Sequence, residues 1–176
     1  MAAQNPAPAR KLRVAIFGAG NMAMHHLKAI SLQENASVVA LADPAIEMIR
    51  QGTELPPDFQ FFSDPEELLT RIKPDVVHVC SPPSTHAGLS ALALRHRANI
   101  YVEKPFALNL LDAREIISLA ENAGLGICAG HQLLFEAPAR NAMAEIGKLG
   151  RIVHVESYFS FNPVKGPQDG RPTMSP

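Results

Sequence analysis

Tryptophan is absent from the 176-residue sequence, cysteine occurs twice, and aromatic residues make up only 6%. Two cysteines cannot build the disulfide framework of a small secreted scaffold. Charge of one sign is missing too: 16 Lys and Arg against 17 Asp and Glu leave a formal net charge of −1. That balance excludes nucleic acid or an anionic membrane surface as partners captured by bulk charge. No run approaches the roughly 18–20 uninterrupted apolar residues of a membrane span. Residues 1–11 are rich in Ala and Pro and lack the apolar centre of a secretory signal, so the expected location is cytoplasmic. What the chain does have is 47% hydrophobic residues, enough for the core of one ordinary domain.

Several chemistries fall away for want of their residues. No His, Cys or Asp cluster has metal-ligand spacing, and the neighbours His25 and His26 cannot share one helix face, so no metal is expected. No G-x-S-x-G elbow offers a nucleophile. Cys80 and Cys128 end strands separated by a third strand, which at about 4.8 Å per strand puts them roughly 9–10 Å apart. They are too distant for a disulfide and read as small buried thiols. The Arg95-His96-Arg97 run is short and fits a helix C-terminus better than a nucleic-acid patch.

From Leu12 the chain alternates short apolar runs with helical patterns. Strands are expected at 12–17, 37–42, 59–62, 75–80, 99–102 and 125–129, and helices at 21–34, from 45, from 65, 84–96, 109–122 and 136–146. Asp64 with Pro65 and two following acids marks a helix start, and Ser84 and Asn109 are further candidate caps. On the 109–122 helix the expected inner face is Leu111, Ile116, Leu119 and Ala120, with Gly124 as its left-handed stop. The strand patterns are continuous, not alternating, as in a parallel sheet covered on both faces. The expected class is therefore α/β, a doubly wound parallel sheet (Rossmann fold) of strand order 3-2-1-4-5-6. There is no internal repeat, low-complexity tract or coiled-coil register.

Between the first strand and first helix stands Gly18-Ala19-Gly20-Asn21-Met22-Ala23, a G-x-G-x-x-A segment. Gly18 permits the tight turn, Gly20 lets backbone approach a pyrophosphate, and Ala23 lets the helix pack on the strand. The free N–H groups of Asn21 and Met22 face the phosphates. Asp43, at the end of the second strand, can accept hydrogen bonds from ribose hydroxyls and would repel a 2′-phosphate. The nearest basic residue after it is Arg50, which favours NAD over NADP. The competing structural reading makes Asp43 a turn-former before Pro44.

Three motifs in order, the Gly18–Ala23 loop with Asp43, Ser81-Pro82-Pro83-Ser84-Thr85-His86, and Glu103-Lys104-Pro105, resemble the glucose–fructose oxidoreductase / inositol dehydrogenase (Gfo/Idh/MocA) family. Ala129–Phe135 resembles its G-H-x-x-R-F stretch, with Leu134 in place of Arg. The resemblance implies hydride transfer between a nicotinamide cofactor and a hydroxyl-bearing carbon of a small-molecule substrate such as a sugar or cyclitol. It places Ser81, Pro82 and Pro83 beside the nicotinamide half of the cofactor and Lys104 in the active site. There an ammonium could stabilise a developing alkoxide. Glu103 would orient Lys104 or contact cofactor ribose, and Pro105 would fix the turn through a cis bond. His86 divides evenly between cofactor contact and backbone bonding. His131 is a weaker candidate for the substrate side, His26 is expected to pack against the sheet, and His78, within a strand, to be a satisfied core or interface residue.

The resemblance also implies a second domain supplying a substrate-facing Asp and His. Expected boundaries are a loose tail at 1–11, the NAD-binding domain at 12–150, and at 151–176 the start of that second, α+β domain. Residues 152–161 read as its first strand, and 162–176, with four prolines, cannot extend a sheet. A truncated chain is one expectation; pairing of strand 152–161 in a homo-oligomer is the other. Two further activities fit the motifs, a non-catalytic NAD-binding sensor or scaffold and an NAD-assisted glycosidase.

Overall fold

The structure, a computed structural model, describes residues 10–46 and 59–158. Among these, six strands form one parallel sheet: β1 (Leu12–Phe17), β2 (Ala36–Ala42), β3 (Gln60–Phe62), β4 (Val76–Val79), β5 (Asn99–Glu103) and β6 (Ile127–Gly130). Their order is β3-β2-β1-β4-β5-β6, as the strand patterns predict. β1 is central because it can be: Val14 to Phe17 are all buried, with both side-chain directions covered. It pairs with β2 through Leu12↔Ala36 and with β4 through Val14↔Val76, so the crossover between the two halves of the sheet falls at its end.

The helices are α1 (Asn21–Ser31), α2 (Pro65–Ile72), α3 (His86–Arg95), α4 (Leu110–Ala123) and α5 (Ala137–Glu145). Asp64 caps α2 by accepting from the N–H groups of Glu66 and Glu67, and Lys73 ends it in the left-handed region. Asn109 caps α4 by accepting from Asp112 N, and Gly124 ends it at φ 65°. One face of the sheet packs Phe17, Val77, Val79, Ile100 and Val102 against Leu68, Leu94 and Ile116 of the helices. The other face packs Ile16 and Leu41 against Ala23 of α1.

Four local expectations need correction. Ser84 does not cap a helix: Pro83–Thr85 forms a 3-10 turn, and α3 starts at His86 with no side-chain cap. Leu111 is 77% exposed, because the buried stripe of α4 runs through Ile116 and Ala120 and Leu111 falls off it. α1 ends at Ser31, where its hydroxyl turns back to the Lys28 carbonyl. The two cysteines are half-buried free thiols. The helix expected from Ala45 lies mostly outside the described residues.

The chain divides into two compact units, Met1–Gln132 and Leu133–Pro176, ahead of the boundary expected at residue 150. The reason is visible in α5, none of whose residues is buried. Residues 152–158 are exposed and form no strand, unlike the expectation for 152–161, whose last three residues lie outside the described residues. Among the described residues no helix is long and apolar enough to cross a membrane.

Candidate functional site

The carboxyl ends of β1, β2, β4 and β5 converge on one crevice, and each end contributes a turn with its own device. After β1, Gly18 adopts φ +92°. A Cβ there would lie 2.8–2.9 Å from the backbone of Cys80 and Ser81, so only glycine fits against the end of β4. Gly20 differs: its φ of −75° and ψ of −175° suit any residue, and its hypothetical Cβ meets nothing within 4 Å. The space over Gly20 is therefore open at the N-terminus of α1, where no side chain caps the helix and no acid stands in the first turn. Ala23 is fully buried and lets α1 sit close on the sheet. Uncapped N–H groups at Asn21 and Met22, an open approach and a first turn without acidic residues suit an anion such as a pyrophosphate.

Asp43 closes the loop from the β2 side. One carboxylate oxygen accepts from Ala19 N (2.8 Å) and the other from Ala45 N (2.8 Å). The turn-former and ribose-acceptor readings coexist, since each oxygen keeps a second lone pair. Arg50 lies outside the described residues.

After β4, Ser81 donates to Thr85 Oγ1 (2.7 Å), which donates to the Pro82 carbonyl (2.8 Å), winding Pro82 and Pro83 into the 3-10 turn. His86 is 1% exposed. Its Nδ1 lies 2.8 Å from the Pro105 carbonyl and its Nε2 2.9 Å from the Ser81 carbonyl. Both nitrogens face backbone, so the ring stands between the Ser81–Pro83 turn and the turn after β5.

After β5, the Lys104–Pro105 bond is cis, as the resemblance implied. Lys104 is exposed and has no ion pair among the described residues. It lines a cavity of about 510 Å³ with Met22, His26, His78, Tyr101 and Glu103. Glu103 is 7% exposed; one oxygen accepts from Lys104 N (3.2 Å) and the other from His26 Nε2 (3.0 Å). His26 Nδ1 in turn lies 2.7 Å from His78 Nδ1. His78 stacks on Tyr101, its register partner across β4 and β5 (4.8 Å between centroids, 22°). Gly130 makes room for this group, since a Cβ there would meet the Tyr101 hydroxyl at 2.9 Å and Glu103 at 3.1 Å.

Burial sets the electrostatics of the cluster. It pushes the His78 imidazole down to about 4, with His26 adding to the effect. It pushes the Cys80 thiol and the Tyr101 phenol up to about 12 each, helped by the negative charge of Glu103. His78, Cys80 and Tyr101 are therefore neutral at pH 7.

The structure thus brings together Gly18, Gly20, Asn21, Met22, Asp43, Ser81, Pro82, Pro83, Glu103 and Lys104 around the strand ends. It does not bring in His131, which lines a different, mainly apolar cavity with Phe106, Ile117, Leu125 and Ile127. Sequence reasoning missed the partnership of His26, His78, Tyr101 and Gly130 with Glu103. Among the described residues no group of three or more His, Cys, Asp or Glu could hold a metal ion.

Comparison with known proteins agrees with this fold. The model of an oxidoreductase family with an NAD-binding Rossmann fold, Gfo/Idh/MocA, matches residues 12–131. The chain is 26% identical over 160 residues to myo-inositol 2-dehydrogenase of Thermotoga maritima, covering 90% of this chain and 48% of that protein. It is 31% identical over 144 residues to D-glucoside 3-dehydrogenase of Escherichia coli, covering 80% of this chain and 41% of that one. The fold matches the crystal structure of scyllo-inositol dehydrogenase from Lactobacillus casei with bound NAD(H) and scyllo-inositol. That match has a TM-score of 0.72 at 19% identity, over 80% of this chain and 43% of that one. The chain spans less than half the length of each of these proteins.

Proposed function

The chain belongs to the Gfo/Idh/MocA oxidoreductase family, whose match here is an NAD-binding Rossmann domain, and from that premise we propose that it serves hydride transfer to or from a hydroxyl-bearing carbon of a sugar or cyclitol. NAD, when bound, supplies the hydride-accepting nicotinamide. The observation that carries the reading is the open, uncapped N-terminus of α1 above Gly20, flanked by Asp43 and by Lys104 at the ends of different strands. The first-turn N–H groups would hold the pyrophosphate. The free lone pairs of Asp43 would take ribose hydroxyls, and its charge would disfavour the 2′-phosphate of NADP. Pro82 and Pro83 would wall the nicotinamide side, with His86 keeping their turn against Pro105. Lys104, the exposed cation beside buried Glu103, would hydrogen-bond the reacting oxygen and stabilise negative charge there. The sugar and cyclitol class rests on the names of the relatives.

The binding half is tested by titrating the chain with NADH and following nicotinamide fluorescence, which the absence of tryptophan leaves uncluttered. Saturable binding is expected, weaker for NADPH. No binding at millimolar cofactor overturns the reading. A turnover screen over polyols and aldoses then compares wild type with Lys104→Ala. Binding kept with turnover lost is the expected pattern, and turnover surviving Lys104→Ala removes Lys104 from the chemistry.

A further inference from the structure

We propose that His78 and His26 form a two-imidazole proton relay that loads and unloads Glu103, so that the carboxyl beside Lys104 exchanges its proton with solvent through the two rings. This rests on the reading of Lys104 as the residue at the reacting oxygen.

Hydrogen-bond direction carries the argument. An ionised carboxylate can only accept, so the 3.0 Å contact to Glu103 requires a proton on His26 Nε2. With one proton on His26, at Nε2, its Nδ1 accepts and the 2.7 Å contact is made by a proton on His78 Nδ1. In that state the chain has one polarity, from His78 through His26 to Glu103, and its far end, His78 Nε2, is an acceptor. His78 is half-buried and lines the cavity described above.

One proton taken from water or a buffer acid at His78 Nε2 moves the Nδ1 proton to His26 Nδ1 and the Nε2 proton to Glu103. Glu103 ends neutral, each ring keeps one proton, and the polarity of the chain is reversed. Release runs the same hops backwards. Glu103 is 7% exposed, its two oxygens face His26 and Lys104 N, and the two rings give it a hydrogen-bonded path beside the cavity that all three line.

The other titratable groups around the relay are His25 on α1, Cys80 after β4, Tyr101 and Lys104 with β5, and Cys128 on β6. Cys80 and Tyr101 are held neutral. Burial also keeps charge from resting on His78, as a conducting ring requires. His26 and His78 act through Glu103 and are positioning residues.

The test is nitrogen-15 NMR of the ring nitrogens in the cofactor-free 176-residue chain, with carbon-13 on the Glu103 carboxyl. The expected signature is His26 protonated at Nε2 and His78 protonated at Nδ1, with both rings and the carboxyl shifting together on acidification. In Glu103→Gln the amide can accept or donate, so the single polarity is lost and each ring shows mixed tautomers. In His26→Gln the side-chain amide still donates to Glu103 but has no second nitrogen, so the carboxyl no longer tracks His78. Rings that titrate independently of Glu103 in wild type, unchanged tautomers in Glu103→Gln, or a carboxyl that still tracks His78 in His26→Gln would each overturn the relay. Because these signals are read without cofactor, a failure to bind NADH would sink the cofactor reading and leave the relay result standing.

Discussion

Gly18 and Gly20 sit two residues apart in one loop, and alanine at each should separate folding from binding. At Gly18 the backbone is at φ +92°, a region that costs an L residue about 1–2 kcal/mol. The new methyl would also lie 2.8 Å from Ser81 N and 2.9 Å from Cys80 C and O, backbone atoms that cannot swing aside. Overpacking of that kind adds about 1–3 kcal/mol. Gly18→Ala should therefore lose about 2–5 kcal/mol, a large part of the 5–15 kcal/mol typical of a domain. At Gly20 the φ of −75° is ordinary and the methyl enters open space, so stability should change by less than about 0.5 kcal/mol. The methyl would stand where the phosphates approach the α1 N-terminus, and NADH affinity should fall at least tenfold, about 1.4 kcal/mol. Urea unfolding followed by circular dichroism reads the first effect and NADH fluorescence the second. A Gly18→Ala chain as stable as wild type, or a Gly20→Ala chain that binds NADH equally well, would refute the reasoning.

Other perturbations bear on other parts of the site. His86→Leu removes the ring whose nitrogens face the Ser81 and Pro105 carbonyls; a ring with one proton donates to one of them, so the loss should be about 1–3 kcal/mol in urea, and an unchanged midpoint would deny its bolting role. Asn109→Ala removes the cap on α4 and should cost about 1 kcal/mol in the same assay. Asp75 is held below its ordinary value of 3.8, chiefly by its hydrogen bond from Arg10. Its contribution to stability is therefore complete above that value and fades as pH falls through the lowered folded value. Asp75→Asn should flatten that acid limb in a pH-dependent unfolding series.

What the sequence shows of this fold follows from how local each signal is. Continuous apolar strands of four to six residues, separated by helical stretches, leave few arrangements besides a covered parallel sheet, and the observed order is the expected one. The Asn109 cap and Gly124 stop are read from neighbours in sequence and hold. Ser84 misleads because Pro83 starts a 3-10 turn that uses up the position a cap would occupy. Leu111 misleads because leucine in the first turn of an amphipathic helix need not lie on its buried stripe. The partnership of His26, His78 and Glu103 is not legible at all. It depends on the His26 side chain of α1 meeting His78 on β4 and Glu103 on β5 and on His78 facing Tyr101 in register, which are settled by packing between segments far apart in the chain.

The crevice is thus built in two different ways at its two ends, and the difference has a chemical consequence. Toward α1 the groups offered to a ligand are main-chain N–H donors, fixed by Gly18 and clamped by Asp43. Main-chain donors do not titrate, so a phosphate held there keeps its contacts across the physiological pH range. Toward β5 the offered groups are side chains, Glu103 and Lys104, backed by two imidazoles. Here charge can change, and each change is passed to a neighbour already in hydrogen-bond contact. In the hydride transfer proposed for this site a proton is released or taken up, whereas a bound pyrophosphate would be a spectator to the chemistry. A single loop of either construction could not do both tasks. Titratable groups under the phosphates would make cofactor affinity follow pH, and main-chain donors at the reacting oxygen could not take up a proton. The strand order supplies the separation, since β1 and β5 lie two strands apart with β4 between them.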